Sequence, residues 1–367
     1  MEFSHNPPLA RLYIVNRHVA GILFLLPSLA RFTLGRYTNR RANDKTSRPS
    51  GRGPVEFGGK RKEIAPCIAA VEPLMDFKWN EIRPLQLRPY KPKKHLTMAV
   101  EFSNASELIE MDWNYLDRIQ LRRQIMSDHK NIVLASDKTA KSAVDELHVW
   151  MFKEYLPTHF PQMLQVQVDS ETSSGEQGKV LNLVTSESIS LQPPESPVEI
   201  LRVLGGHLED DFMFLLPSDD GDGYRLQAFV TCFPNGFNTS KKLGMKLRGI
   251  HIPVPGYKQK LEKSMERYFD RLEVVDCDNY GFSIYTIRKS PANMRVERQV
   301  VHRSPKTRAI VFSFKIYLYP LTSLKEEGVG EELTVAIDGL KFGNVPSFHF
   351  YKRAAVWGDA VKNYLRS

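Results

Sequence analysis

The order of apolar and polar positions separates a patterned body from an unpatterned head. "HLTMAVEF" alternates well enough to predict a strand over Leu96–Phe102. In "NYLDRIQLRRQIM", Leu116, Ile119 and Ile125 recur at helical spacing with arginines on the other side. A second helix is predicted through Lys138–Leu156, stopped by Pro157. "SETSSGEQGK" reads as a polar loop or hairpin tip. "SPVEILRVLGGHLEDDFMFLL" reads as a helix with Ser196 as its cap, Pro197 at its first position and Glu199 in its first turn. Gly205 and Gly206 weaken it midway, by about 1 kcal/mol each relative to alanine. "SDDGDGYRLQAFVTCF" is a turn and a strand, and "YKQKLEKSMERYFDRLE" is an amphipathic helix with Leu261, Met265, Tyr268, Phe269 and Leu272 on one stripe. Strands follow in "GFSIYTIR", "RVERQVVHR" and "AIVFSFKIYLY", and "AAVWGDAVKNYL" closes the chain as a helix. Helices early and strands late predict an α+β fold, with helices packed on an antiparallel sheet.

Charge sharpens the division. The formal net charge is +9, but residues 1–62 hold twelve of the 51 Lys and Arg and three of the 42 Asp and Glu, which leaves 39 against 39. A neutral body with a basic tail argues against a nucleic-acid-binding domain, which spreads basic residues over its folded face. The head has no acidic residue between Glu2 and Asp44, and its apolar run, Val19–Leu34, is interrupted by Pro27 and Arg31. Three readings stay open for residues 1–43: a short membrane anchor flanked by positive charge, a mitochondrial presequence, and a simple extension. Gly, Pro and charge without periodicity make residues 44–62 a linker. The predicted organisation is a basic extension with linker over 1–72 and one domain over 73–367. Cys67, Cys232 and Cys277 are odd in number and far apart, which argues against a disulfide framework and for a reducing, intracellular compartment.

Candidate chemistry is sparse. His251 lies between two isoleucines in "GIHIPVPGY", where Pro253 and Pro255 are expected to hold the segment extended. An imidazole on so stiff a base suits a metal or haem ligand, although the spacing alone favours a core histidine satisfied by a carbonyl. "TCFPNGFNTSKKLG" turns through Pro234, Asn235 and Gly236 and ends in Lys241 and Lys242, which by themselves read as a solvated loop and in context are a pair able to hold carboxylates. In "RVERQ", alternation puts Arg295, Glu297 and Gln299 on one face of a strand and Arg298 on the other. Polar residues sharing a face border a pocket or a partner, or else belong to an ion-paired edge strand. His95, His207, His302 and His349 allow a two-histidine, one-carboxylate iron site only on paper, because no short ligand spacing supports it. Asp220 and Asp222 lack the closing glutamate of a calcium loop and read as a turn. Walker, G-x-G-x-x-G and G-x-S-x-G motifs are absent.

Taken together, "RPYKPKKHLTMAVE", "MDWNYLDRIQLRRQIM", "LPTHFPQML", "LEDDFMFLL", "TCFPNGFNTSKKLGMKLRGIHIPVPGY", "RVERQVVHRSP" and "FYKRAAVWGDAVKNYLRS" resemble, in order, the haem-dependent oxidative N-demethylase-like family, whose fungal members are labelled the HRQ family. The resemblance covers about 87–367 and omits the head. It implies a PAS-like α+β domain that binds haem b noncovalently. The implied reaction is oxidation of an amine's N-methyl group with dioxygen, yielding formaldehyde and the demethylated amine. The family's I-H-x-P-V-P motif falls on Ile250–Pro255 and makes His251 the implied axial ligand. Its E-R-Q motif falls on Glu297, Arg298 and Gln299, implied pocket residues: Glu297 to hold the substrate ammonium or take its proton, and Arg298, with Lys241 or Lys242, to hold propionates. The chain has no flavin or iron–sulfur site of its own, so a separate reductase is implied. It departs from the family at Asn235-Gly236-Phe237, where Ser-Gly-Trp is usual, at Tyr280, where Trp is usual, and over Val300–Pro305. These departures bear on the substrate rather than on the ligand. A haem sensor or carrier without turnover, and a scaffold that has lost its cofactor, are the competing expectations.

Overall fold

The computed structural model describes residues 71–88, 90–168, 178–272, 277–280, 287–288 and 292–367. The anchor, presequence and linker expectations for the head lie outside these residues, as does most of the polar loop.

In chain order the strands are β1 (Glu101–Ser103), β2 (Leu134–Ser136), β3 (Leu164–Val168), β4 (Gly178–Asn182), β5 (Glu187–Ser190), β6 (Asp211–Pro217), β7 (Tyr224–Val230), β8 (Cys277–Tyr280), β9 (Ile287–Arg288), β10 (Asn293–Arg303) and β11 (Ile310–Pro320). Eight of them form one sheet in the order β1-β8-β10-β11-β6-β7-β2, with β9 beside β10, and β3-β4-β5 form a smaller one. All the pairings are antiparallel. The main helices are α1 (Tyr115–Asp128), α2 (Lys141–Val149), α3 (Pro197–His207), α4 (Leu247–His251), α5 (Glu262–Arg271), α6 (Gly330–Phe342) and α7 (Ala354–Arg366). The architecture is α+β and antiparallel, as the patterning predicts.

β10 and β11 are the spine of the large sheet. They pair from Asn293↔Pro320 to Arg303↔Ile310, and β10 is buried along its whole length between β11 and β8 with β9. It is therefore no edge strand. Because directly paired residues share a face, Arg295, Glu297, Gln299 and Val301 lie on the same side as Leu318, Ile316, Phe314 and Phe312. We call this the front. Arg298 and His302 point to the back with Lys315.

The back is closed by the N-terminal helices through buried charge rather than apolar contact alone. Lys315 reaches Asp112 and Glu209, both at 2.8 Å, and the Glu110 carbonyl at 2.9 Å. Arg122 of α1 is fully buried; it donates to the carbonyls of Gly205, Glu209 and Asp210 and to Asp211 Oδ1 at 2.7 Å. A buried pair is costly to break from one side, about 3–5 kcal/mol, since the remaining charge cannot reach water.

Several predicted elements differ from those observed. Over Leu96–Phe102 only β1 is a strand: the Leu96 backbone is held by the Asn344 side chain through both its N–H and its carbonyl, so this segment straps the C-terminal helices instead of joining a ladder. The helix expected to stop at Pro157 runs on to His159. A π-helical segment, Trp150–Tyr155, bonds Leu156 N–H to the Met151 carbonyl and restarts the helix, so that Pro157 falls in a first turn where its missing N–H is harmless. The long helix expected from Ser196 ends at His207, and "DFMFLLP" is β6. A continuous apolar run is consistent with either element, and burial on both faces selects the strand. Ser196 takes the cap position without a side-chain cap bond. Leu261 divides the amphipathic helix in two but stays buried with Met265, Phe269 and Leu272, as the stripe predicts. Helices α6 and α7 follow the last strand, so the early-helix, late-strand segregation does not hold.

Candidate functional site

His251 ends α4, a helix of five residues, and not an extended segment. Ile252 continues in helical backbone at φ −44°, ψ −42°, and the Val254 N–H then returns to the His251 carbonyl at 2.9 Å. Pro253 and Pro255 make a tight turn here, since a fixed φ near −65° suits a turn as well as a strand. Gly256, at φ 75°, completes the turn; a Cβ there would lie 2.8 Å from Val345 Cγ2.

The imidazole is fully buried and stacks on Tyr257 at 4.9 Å with 19° between the planes. Its Nδ1 lies 2.7 Å from the Leu247 carbonyl. A carbonyl only accepts, so Nδ1 carries the proton and Nε2 presents a lone pair. Nε2 is buried and has no hydrogen-bond partner. Leaving such an atom unmade costs about 1–3 kcal/mol, and a backbone carbonyl on the other ring nitrogen is how metal-binding histidines are oriented. Burial lowers the His251 pKa to about 4; the Leu247 bond opposes that and the nearby Lys242 charge adds to it. The ring is neutral at physiological pH, the form that ligates.

His251 lines an apolar cavity of about 20 Å³ with Met213, Leu215 and Phe312 from the front of the sheet, Ile250 beside it and Phe269 of α5. His251 offers the donor that an iron needs, and the walls are apolar as a porphyrin's body requires, but in this closed form they enclose too little space to hold one. The cavity has room for about one water. A larger guest enters only if α4 and α5 part from the sheet.

Phe312, which borders that cavity, pairs with Val301, so the polar front of β10 continues from the same wall. Arg295 is ion-paired with Glu297 Oε1 and donates to the Phe233 carbonyl at 2.9 Å. Gln299 Nε2 donates to Glu297 Oε2 at 2.7 Å. The carboxylate of Glu297 is thus held on both oxygens, about 13 Å along the strand from the level of Val301. Arg298 is not brought to this group. It faces the back, where it donates to the carbonyls of Glu107 and Leu108.

The two lysines also separate. Lys242 is buried, its Nζ 3.4 Å from the Ile250 carbonyl and 5.8 Å from the centre of the Phe237 ring, and burial lowers its pKa. Lys241 is exposed. The sequence reading passed over two more features of this loop. Asp211 accepts the N–H groups of Cys232 and Phe233 at 2.8 and 2.9 Å and so pins the loop to β6, while Asn235 Nδ2 and Thr239 Oγ1 are buried without partners. Nothing local in the sequence marks Asp211, because its partners lie about twenty residues on. Asp220 and Asp222 form a turn as expected, and both are ion-paired with Lys246. Among the described residues no three metal-ligating side chains come together. No helix among them is long and apolar enough to cross a membrane.

The model of one protein family, described as haem-dependent oxidative N-demethylase, alpha subunit-like, matches residues 99–288 and 283–362. No curated protein matches the chain. The matched residues run from the first strand of the large sheet into α7 and enclose His251, the lysine loop and the polar front of β10. By that extent the chain belongs to the haem-dependent oxidative N-demethylase, alpha subunit-like family.

Proposed function

We propose that the protein is a haem-dependent oxidoreductase of the oxidative N-demethylation type, acting on a small amine. The observation that carries this reading is the His251 ring, proton on Nδ1, buried lone pair on Nε2 and no protein partner for it. When bound, haem b would supply the two-electron oxidation of an N-methyl carbon with dioxygen, fed by a separate flavin or iron–sulfur reductase. Everything else is the work of the chain. His251 Nε2 would hold the iron, with the Leu247 carbonyl keeping that nitrogen aimed. Lys242, with the exposed Lys241 before it, would hold acidic groups. Glu297 keeps a free lone pair on each oxygen beyond those used by Arg295 and Gln299, enough to hold a substrate ammonium or take its proton in a dry setting. Arg298 acts from the back as a positioning residue, tying β10 to the segment before α1.

The closed cavity favours a second reading, a family member that keeps the fold without the cofactor. The full-length chain, purified after expression with haem supplied, separates the readings. A Soret band at one haem per chain, with formaldehyde released from methylated amines under a chemical reductant, supports the enzyme. A Soret band without formaldehyde makes the protein a haem carrier or sensor, and no Soret band makes it a scaffold.

A further inference from the structure

Two further buried lysines lie within electrostatic reach of one another and of the Arg295–Glu297 pair. Lys94 and Lys352 are 6% and 5% exposed. Both are fixed by their backbones. The N–H of Lys94 donates to the Gly339 carbonyl at 3.1 Å, and its own carbonyl runs where a Cβ on Gly343 would sit. The N–H of Lys352 donates to the Phe348 carbonyl at 2.8 Å, and its carbonyl accepts from Trp357 Nε1 at 3.0 Å. The Lys352 ammonium has no hydrogen-bond partner. Its Nζ lies 5.8 Å from the centre of the Tyr351 ring. The charges acting on it are Lys94, Glu297 and Arg295, and Lys91 acts in turn on Lys94. Glu297 already serves Arg295 and Gln299, so two buried lysines remain without an anion of their own. Charging a buried lysine without a partner costs several kcal/mol, so burial favours its neutral form, and an incoming anion would restore the charge.

We propose that Lys94 and Lys352 form a carboxylate-binding site that clamps an acidic group of a ligand lying along the front of β10. The site stands on its own geometry, and only the identity of the ligand rests on the haem-oxidase reading. Two sources supply the same chemistry: a propionate of the porphyrin, or the carboxylate of an N-methyl amino acid. Burial lowers Lys94 to about 7 and Lys352 well below its ordinary value, with Lys91, Arg295 and the lysines' mutual repulsion adding and Glu297 opposing. An anion reverses this, so binding takes up protons at neutral pH and weakens as pH rises above about 7.

The test uses the full chain, K352M, K94M and the exposed-lysine control K258M. Each is titrated with ferric protoporphyrin, with its dimethyl ester and, porphyrin in place, with sarcosine and dimethylamine. If the acid is a propionate, K352M weakens the porphyrin about tenfold or more and leaves the ester unchanged. If it belongs to the substrate, K352M leaves the porphyrin unchanged and weakens sarcosine, not dimethylamine, by a similar factor. In either case the proton uptake seen in calorimetry is lost. If the wild type binds no porphyrin, the haem reading fails separately, and succinate alone is the probe: a rise in wild-type melting temperature that K352M abolishes upholds the site. Unchanged binding of every probe by K352M and K94M overturns it. So does a K352M chain that melts lower than wild type and binds as well, which would make the lysine structural.

Discussion

Glu297 and Arg298, neighbours in the E-R-Q run, have opposite duties, and the difference is visible in alternation alone. Glu297 and Gln299 face the His251 side, and Arg298 faces the N-terminal helices. E297Q removes a charge from the front, where Arg295 keeps a neutral acceptor and the Phe233 carbonyl. It is expected to fold with lower stability, because the buried Arg295 loses its counter-charge, to keep its haem spectrum and to lose at least about tenfold in amine turnover. R298M should also lower unfolding stability, by about 2–4 kcal/mol through two orphaned carbonyls and lost packing, while leaving both the Soret band and amine turnover in place. Denaturation and spectra of the two variants check this, and a spectrum changed by R298M alone would reverse the assignment. The parity of β10 was legible because a strand has a period of two. That His251 shares the Glu297 face was not, because it depends on pairing β10 through β11 to β6. The helical turn at His251 was hidden for a local reason: Ile252 precedes a proline, which disfavours helical backbone, yet adopts it.

At the scale of elements, α3 shows what sequence reading misjudged and why. Its paired glycines look like weak points in a helix. Gly205 instead lets α3 sit against β7 and α1, for a Cβ would come 2.7 Å from Val230 Cγ2 and 3.1 Å from Met126 Sδ, and the Gly205 carbonyl accepts from Arg122. Gly206 has only ordinary contacts, the nearest 3.7 Å away. G205A should therefore destabilise by about 1–3 kcal/mol, and G206A should be neutral or stabilise by up to about 1 kcal/mol. Equal effects in urea denaturation would show that helix propensity, not close approach, governs the pair. The stripe of the amphipathic helix, the strands β10 and β11 and helix α7 were legible because their periodicity is long. β6 was not, since a short apolar run carries no period, and neither was the strap at Leu96, whose partner Asn344 lies 248 residues away.

For the whole molecule, the buried histidines set the response to acid. His148, His207, His251 and His302 are each lowered to about 4, mainly by burial. An unfolded histidine titrates near 6.5. Between those values the unfolded chain binds protons that the folded chain refuses, so stability falls as pH drops from about 6.5 to about 4, at up to about 1.4 kcal/mol per pH unit per group. Asp210, raised to about 7 by burial, works in the opposite direction: its contribution is present at low pH and is lost as pH rises through 7. Burial also raises Glu154, Glu209 and Glu266 in the sense of Asp210 and lowers His349 in the sense of the other histidines; the four large histidine shifts outweigh the carboxyls and predict a denaturation midpoint that climbs from pH 4 to 6.5, and a flat profile over that window would contradict it. Haem loading belongs to the same scale, since a guest at His251 has to part α4 and α5 from the sheet. The most direct measurement is the absorption spectrum of the purified full-length chain beside that of H251A, both reconstituted with haem. The account predicts one haem per wild-type chain with a Soret band that H251A shifts or loses; an H251A chain with full occupancy and an unchanged Soret band would contradict it.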